Sequence, residues 1–271
     1  MTGFAERVLA ALKERGPLCV GIDPHRALLE AWGVGDTLDG LRRFALAATE
    51  AIAPVAAVIK PQSAFFERFG APGVAVLERV IALGREAGAI VIVDAKRGDI
   101  GSTMAAYADA YLGAGSALAG DAVTLSPYAG YSALRPALDM AAKHDRGVFV
   151  LALTSNPDGA AVQRACSGSG TVAQRILDAT ASENHGARPL GRVGVVIGAT
   201  VGALDVDLDA LNGPILVPGL GAQGGTPADL ARLFGGRPGV IPSTSRGVLR
   251  AGPDPAALRE ATRRTADSVR G

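Results

Sequence analysis

The sequence predicts a (β/α)8 TIM barrel, and three observations carry that reading. Eight short apolar runs, rich in β-branched residues, recur through the 271 residues, and they read as strands buried on both faces, as in a parallel sheet. Amphipathic helical patterns separate most of them, which argues for alternating β and α units. Polar residues gather where those runs end, and in such barrels the working groups sit at the carboxyl ends of the strands. A barrel of this length forms one domain, taken here as residues 1–271. An open dinucleotide-binding sheet needs a Gly-x-Gly-x-x-Gly turn after an early strand, and neither Gly21 nor Gly33 and Gly35 supplies one. No repeat of fixed period is visible, which excludes solenoids and propellers.

Taken in order, residues 1–15 read as an amphipathic helix of mixed charge. The first strand, 17–22, ends at Asp23-Pro24. A helix over 38–52 leads to a second strand, 55–59, ending at Lys60-Pro61. A helix over 73–87 precedes the third strand, which starts at Ala89, and a helix over 100–112 follows it. The fourth strand, 121–125, is broken by Ser126-Pro127-Tyr128. A helix over 132–143 leads to the fifth strand, 147–152, which ends at Thr154-Ser155-Asn156-Pro157. Residues 156–192 are long for a connection and hold Ser167-Gly168-Ser169-Gly170 and a helix over 172–183, so a lid or surface lobe is expected there. The last three strands are 193–197, 214–217 and 239–242, and a helix over 254–269 closes the chain.

Composition narrows the function classes. Hydrophobic residues make up 48% and charged residues 20%, as in an ordinary soluble globular protein. The net charge is +1 with Lys and Arg scattered, so no basic footprint for nucleic acid is present. The doublets Arg42-Arg43 and Arg263-Arg264 read as solvated helix faces. Cys19 and Cys166 form neither a disulfide framework nor a metal spacing, which points to a reducing cytoplasm. The N-terminus lacks the apolar core of a signal peptide, and no run is long enough to cross a bilayer, so no membrane partner is expected. His25, His144 and His185 have no ligand partner at useful spacing and read as surface or helix-end residues, and no metal is expected. Trp32 reads as packing at a loop, and Arg97 as a loop anchor.

The third strand carries the strongest signal. Four charges, Asp94, Lys96, Arg97 and Asp99, arrive within six residues where a fully apolar run stops. Asp94 and Lys96 are two apart, so on extended backbone they share a face. Gly98 is expected to let the chain turn, and Asp99 to stand at a helix cap. A lone Asp-x-Lys is more often a solvated turn; the abrupt change from apolar strand to mixed-sign cluster favours a site. A Schiff-base lysine must be neutral, whereas carboxylates on both sides of Lys96 favour its charged form. Such an ammonium suits stabilising a developing carbanion and then giving it a proton.

Other strand ends add a phosphate site. Pro218 to Gly225 follows the seventh strand, with Gln223 inside it, and Arg246 follows the eighth. Barrels commonly bind phosphate there, with backbone N–H groups from a Gly-rich loop and a bidentate guanidinium. Taken alone, the Gly-rich loop is equally well a tight turn; paired with Arg246 it favours phosphate. Arg237 is the alternative arginine.

Asp94-Ala-Lys96-Arg-Gly-Asp99-Ile100-Gly-Ser-Thr103, with Lys60 before it and Pro218-Gly-Leu-Gly-Ala-Gln223-Gly-Gly and Arg246 after it, closely resembles the orotidine 5′-phosphate decarboxylase family, nearest its Asp-Ala-Lys-Arg-Gly-Asp branch. The resemblance spans Asp23 to Arg246. It implies a cofactor-free, metal-free barrel that converts orotidine 5′-phosphate to UMP and CO2 in pyrimidine nucleotide synthesis, and a homodimer with shared active sites. It implies that Lys60, Asp94, Lys96 and Asp99 form a charged array, with Lys96 protonating C6 of the pyrimidine. Asp99, Ile100 and Thr103 are then expected to reach into the partner's site. Asp23 and Lys60 are expected on the ribose, Ser155 on the pyrimidine, and Gln223 and Arg246 on the phosphate, with Pro218 a further substrate-binding residue.

Two other readings remain open on sequence alone. A Mg²⁺-dependent sugar-phosphate decarboxylase or hexulose-phosphate synthase shares the barrel and the Asp-x-Lys-x-x-Asp pattern, but it needs a carboxylate metal site, and Lys60 stands where a glutamate is wanted. A non-catalytic phosphate-ligand binder could use the same loops.

Overall fold

The computed structural model describes residues 3–168 and 170–270. Eight parallel strands close a barrel: β1 Cys19–Ile22, β2 Val58–Pro61, β3 Ile90–Arg97, β4 Ala122–Leu125, β5 Gly147–Leu153, β6 Val193–Ile197, β7 Ile215–Pro218 and β8 Val240–Thr244. Each pairs with its neighbour in sequence, and β8 returns to β1 through Cys19↔Ser243 and Val20↔Thr244. The (β/α)8 expectation is met.

Every strand places at least one residue in the interior layer: Cys19, Val58, Ile90 with Ile92, Ala122, Phe149, Val196, Leu216 and Ile241. Phe4, Val8 and Leu12 of the helix Phe4–Arg15 join this layer, so the first helix seals the amino end of the barrel. Phe4 meets Phe149 edge-on, with ring centroids 6.4 Å apart. A Cβ on Gly147 would lie 2.1 Å from the Phe4 ring, so β5 has to open with glycine. Burying one such aromatic contributes roughly 1.5–3 kcal/mol. With that end closed, a ligand has only the carboxyl end to enter.

The outer shell includes Leu38–Ile52, Gly70–Glu86, Gly101–Leu112, Arg135–Lys143, Val172–Glu183, Pro227–Phe234 and Pro255–Ser268. Leu38–Ile52 starts where the Thr37 hydroxyl accepts from the Gly40 N–H, and buries Leu41, Phe44, Ala45 and Ala48 on one face. No described helix lies between β6 and β7.

Several local expectations need correction. The second strand is Val58–Pro61, not 55–59: Val55 and Ala56 both bond back to the Ile52 carbonyl and finish the preceding helix. Lys60 is therefore inside the strand. Gly98 has no left-handed φ; its glycine is needed because a Cβ would come 2.1 Å from the Ser126 carbonyl. The left-handed residue of this turn is Lys96, at φ 48°. The residue before the following helix is Ile100, and among the described residues Asp99 Oδ1 accepts only the next backbone N–H. Trp32 ends the short helix Arg26–Ala31, packs against Phe44 with the rings tilted at 49°, and donates to the Leu249 carbonyl at 2.9 Å.

The helices Arg26–Ala31, Ser63–Glu67 and Pro227–Phe234 were not foreseen. The last had a legible start, since Thr226 and Asp229 cap each other's backbone with Pro227 at the first turn. Within 156–192 the chain forms a short helix, Ala160–Gln163, and a two-stranded ribbon pairing Cys166 with Thr171. Met1, Thr2 and Ser169 lie outside the described residues.

Candidate active site

A cavity of about 340 Å³ opens at the carboxyl end of the barrel. Asp23, Lys60, Asp94, Lys96, Ser155, Pro218, Gln223 and Arg246 all border it. Six strand ends thus deliver the residues that the sequence had marked separately.

Asp94 is the hub. It is 6% exposed, and burying a carboxylate is costly unless it is paired and hydrogen-bonded. Oδ2 accepts from Lys60 Nζ at 2.7 Å. Oδ1 accepts from Lys96 Nζ at 2.6 Å and from the Thr124 hydroxyl at 2.8 Å. With its amide turned to suit both neighbours, Gln62 donates from nitrogen to Asp94 Oδ2 at 2.7 Å and accepts from Lys96 Nζ at 3.1 Å. Burial works to raise the Asp94 pKa, but Lys60 and Lys96 outweigh it and hold the carboxyl well below its usual range. Burial likewise works to lower the Lys60 ammonium, and Asp94 with Asp23 reverses that, leaving Lys60 raised. Both partners therefore stay charged across the neutral range.

Lys96 reaches Asp94 although its own backbone is not extended. The ladder between β3 and β4 shifts register between Val93 and Arg97. The Lys96 N–H donates to Thr124 Oγ1 at 3.0 Å, which fixes the left-handed residue. A non-glycine residue in that region costs on the order of 1 kcal/mol or more and persists only where surroundings hold it. Beside it, Arg97 grips Glu67, donates to the Tyr111 hydroxyl at 3.1 Å and lies over the rings of Tyr107 and Tyr111. The anchoring role expected of Arg97 is met.

The far wall carries the anion-binding candidates. Of the 218–225 loop, the N–H groups of Gly219, Leu220, Gly221, Gly224 and Gly225 are spent on backbone carbonyls within the loop or on β8. The glycines at 219, 221 and 224 have φ of 111°, 76° and 92°, so they shape a tight turn. Fewer backbone donors are offered to an anion than a Gly-rich loop suggests; Ala222 and Gln223 are the loop residues bordering the cavity beyond the turn's own bonds. Thr244 Oγ1 donates to the Leu220 carbonyl at 3.1 Å and ties this loop to β8. Arg246 is half-buried at the start of the turn Arg246–Leu249 and faces the same cavity. Arg237, the alternative, binds Asp209 and the Leu208 carbonyl outside it.

Asp23 Oδ1 and Ser245 Oγ are buried without a partner among the described residues. Buried polar groups in native proteins rarely stay unpaired, so both are candidates to meet a bound ligand. His25 also borders the cavity, which the sequence reading missed. It occupies the N-cap position of the helix Arg26–Ala31 without a side-chain cap bond and meets Phe65 edge-on at 4.3 Å. Burial draws its imidazole below the ordinary value, with Asp23 opposing and Arg246 assisting. Cys19 lies beneath Lys60, and burial pushes its thiol up to about 12, so it is neutral and inert. Asp99, Ile100 and Thr103 do not border this cavity; Ile100 is 63% exposed. Gln62 and Thr124 also escaped the sequence reading, each being a single polar residue at a strand end.

The orotidine 5′-phosphate decarboxylase / HUMPS family model matches residues 16–261. The chain is 57% identical to an orotidine 5′-phosphate decarboxylase of Nocardioides sp. over all of both chains. It is 59% identical to one of Salinispora arenicola over 97% of this chain and 96% of that one. A solved structure from Streptomyces avermitilis, 55% identical, superposes with a TM-score of 0.97 over 100% of this chain and 95% of that one. The Leishmania donovani OMP decarboxylase structure, 31% identical, gives 0.74 over 99% and 98%. On the match across 16–261 and these full-length identities, the chain belongs to the orotidine 5′-phosphate decarboxylase / HUMPS family.

Proposed function

We propose that this protein catalyses the decarboxylation of orotidine 5′-phosphate to UMP and CO2, with Lys96 as the group that stabilises and protonates C6. The reading rests above all on one observation: an ammonium held at 2.6 Å by a buried carboxylate, on the wall of a cavity that Arg246 also borders. The full-length relatives named for this activity support it.

In the proposed reaction the bond from C6 to the carboxylate carbon breaks heterolytically. Its electron pair stays on C6 as CO2 departs. Lys96 Nζ, held at the cavity wall by the buried Asp94, offsets that charge; once the bound substrate displaces water from the cavity, that ion pair counts for more than in water. One Nζ proton then moves to C6, giving UMP, and water returns a proton to the amine. Gln223 and Arg246 hold the phosphate and Pro218 packs beside it; Asp23 and Lys60 take the ribose hydroxyls, and Ser155 the pyrimidine. Grip on the remote phosphate supplies energy for positioning at the reacting carbon. No metal or organic cofactor takes part. The oxygens of Asp94 are already engaged by two ammoniums, Gln62 and Thr124, a donor set unsuited to ligating Mg²⁺.

The reading extends to a single-domain homodimer in the cytoplasm, in which Asp99, Ile100 and Thr103 complete the partner's site. What supports it is their place beyond the third strand, off their own chain's cavity, and the two free cysteines. Incubation with orotidine 5′-phosphate, following loss of pyrimidine absorbance with and without EDTA, is the direct test. Turnover unaffected by EDTA is expected; no turnover, or turnover that EDTA abolishes, refutes the proposal. Lys96→Ala is expected to fold and to lose nearly all turnover. Mixing Asp99→Ala with Lys96→Ala subunits should restore part of the activity, and no recovery would argue against shared sites.

A further inference from the structure

The three N–H bonds of an ammonium point to three corners of a tetrahedron, and only one of them can carry the proton that reaches a substrate. At Lys96, Asp94 Oδ1 takes one at 2.6 Å and the Gln62 carbonyl takes a second at 3.1 Å. One N–H is left for the cavity. The other end of the Gln62 amide donates to Asp94 Oδ2 at 2.7 Å. Asp94, Lys96 and Gln62 therefore close a ring in which the amide fixes the rotation of the ammonium about its last carbon–nitrogen bond. Without Gln62, Asp94 alone holds Lys96, and rotation about that single contact is free.

The amide is itself held from two sides. Gln62 pairs with Asp94 as an extra parallel bridge past the end of β2. Ser63 then opens the helix Ser63–Glu67, whose last residue is gripped by Arg97, next in chain to Lys96. The two strand ends that carry the charged groups are thus clamped outside the cavity as well as inside it.

We infer that Gln62 is a positioning residue for proton delivery by Lys96. It spends one N–H of the ammonium and so aims the remaining one at the reacting carbon. This inference rests on the decarboxylase reading proposed above. It concerns the proton's direction, and leaves binding of the phosphate and ribose to other residues.

Gln62→Met keeps the length of the side chain and removes both hydrogen bonds. The expected result is a kcat lower by about tenfold to a hundredfold with KM for orotidine 5′-phosphate changed by less than about threefold. Decarboxylation in equal parts H2O and D2O should also give UMP with an altered H/D ratio at C6. Unchanged kcat and H/D ratio, or a loss carried wholly by KM, would overturn the inference. Gln62→Glu keeps the test open should the methionine variant fail to fold. Its carboxylic acid, when protonated, again accepts from Lys96 and donates to Asp94; when ionised it opposes Asp94, with Lys60 and Lys96 the other charges facing it. Activity relative to the unsubstituted enzyme should therefore climb as pH is lowered, and a flat ratio refutes the role. Failure of the unsubstituted protein to act on orotidine 5′-phosphate would instead sink the decarboxylase reading, so the two failures are distinct.

Discussion

The hydroxyl of Thr124 accepts the backbone N–H of Lys96 at 3.0 Å and donates to Asp94, the carboxylate that holds the Lys96 side chain, at 2.8 Å. One hydroxyl thus fixes both ends of the catalytic candidate. It also compensates for the left-handed backbone at Lys96, φ 48°. Thr124→Val keeps the shape and removes both bonds. The expected outcome is a loss of roughly 1–3 kcal/mol in a denaturant titration, because a buried N–H and a carboxylate oxygen each lose a partner. Turnover should fall with it, since the ammonium is no longer held at both ends. A variant as stable and as active as the parent would show that the strand end is held by other means.

The ion pair between Lys60 and Asp94 predicts an asymmetry. Lys60→Met leaves Asp94 with Lys96, Gln62 and Thr124. Asp94→Asn leaves a buried ammonium, 5% exposed, without its carboxylate. Stranding a buried charge typically costs about 3–5 kcal/mol. Asp94→Asn should therefore be the more destabilising of the two by urea unfolding at neutral pH. The reverse order would mean that Asp23, the other carboxylate acting on Lys60, suffices to hold it.

The same pair sets a pH window. Asp94 is lowered from an ordinary 3.8, so its contribution is present above that value and is lost as pH falls through its folded pKa. Lys60 is raised from 10.5, so its contribution is present below that value and is lost as pH climbs through its folded pKa. The stability difference between the parent and Lys60→Met should be level between about pH 5 and 9 and shrink on the acid side of about pH 4. Unfolding curves across that range give the answer. A difference that slopes through neutrality would assign the coupling to some other group.

Much of this architecture is written plainly in the sequence, and the exceptions have physical causes. The helices Leu38–Ile52 and Val172–Glu183 and the strand Val193–Ile197 match their patterns to the residue, because periodicity is decisive over a fully amphipathic helix or a fully apolar strand. Residues 55–57 are apolar too, yet only Val58–Pro61 is strand, since apolar composition does not separate a buried helix end from a buried strand. Asp94 and Lys96 stood out as charges ending an apolar run. Gln62 and Thr124 did not, although they touch the same carboxylate. Each is unremarkable locally, and only closure of β2, β3 and β4 side by side gives it a partner. Gly98 shows the same limit: the Ser126 carbonyl that demands a glycine lies 28 residues on, across a strand pair.

The two arginines that sequence reasoning left in competition now lie in different surroundings, and substitution separates them. Arg246 borders the same cavity as Lys96. Arg237 is tied to Asp209 and to the Leu208 carbonyl, away from it. A guanidinium on a phosphate makes a charge-assisted contact, and losing one typically costs about 1.5–3 kcal/mol, or roughly 10- to 150-fold in affinity. Arg246→Ala should weaken UMP binding by that order in a calorimetric titration and raise KM more than it lowers stability. Arg237→Ala should leave UMP affinity near the parent's, because its partners lie on its own side of the barrel. Equal losses from the two would remove Arg246 from the phosphate site, and unchanged affinity in Arg246→Ala would hand that task to Gln223 and the turn after β7.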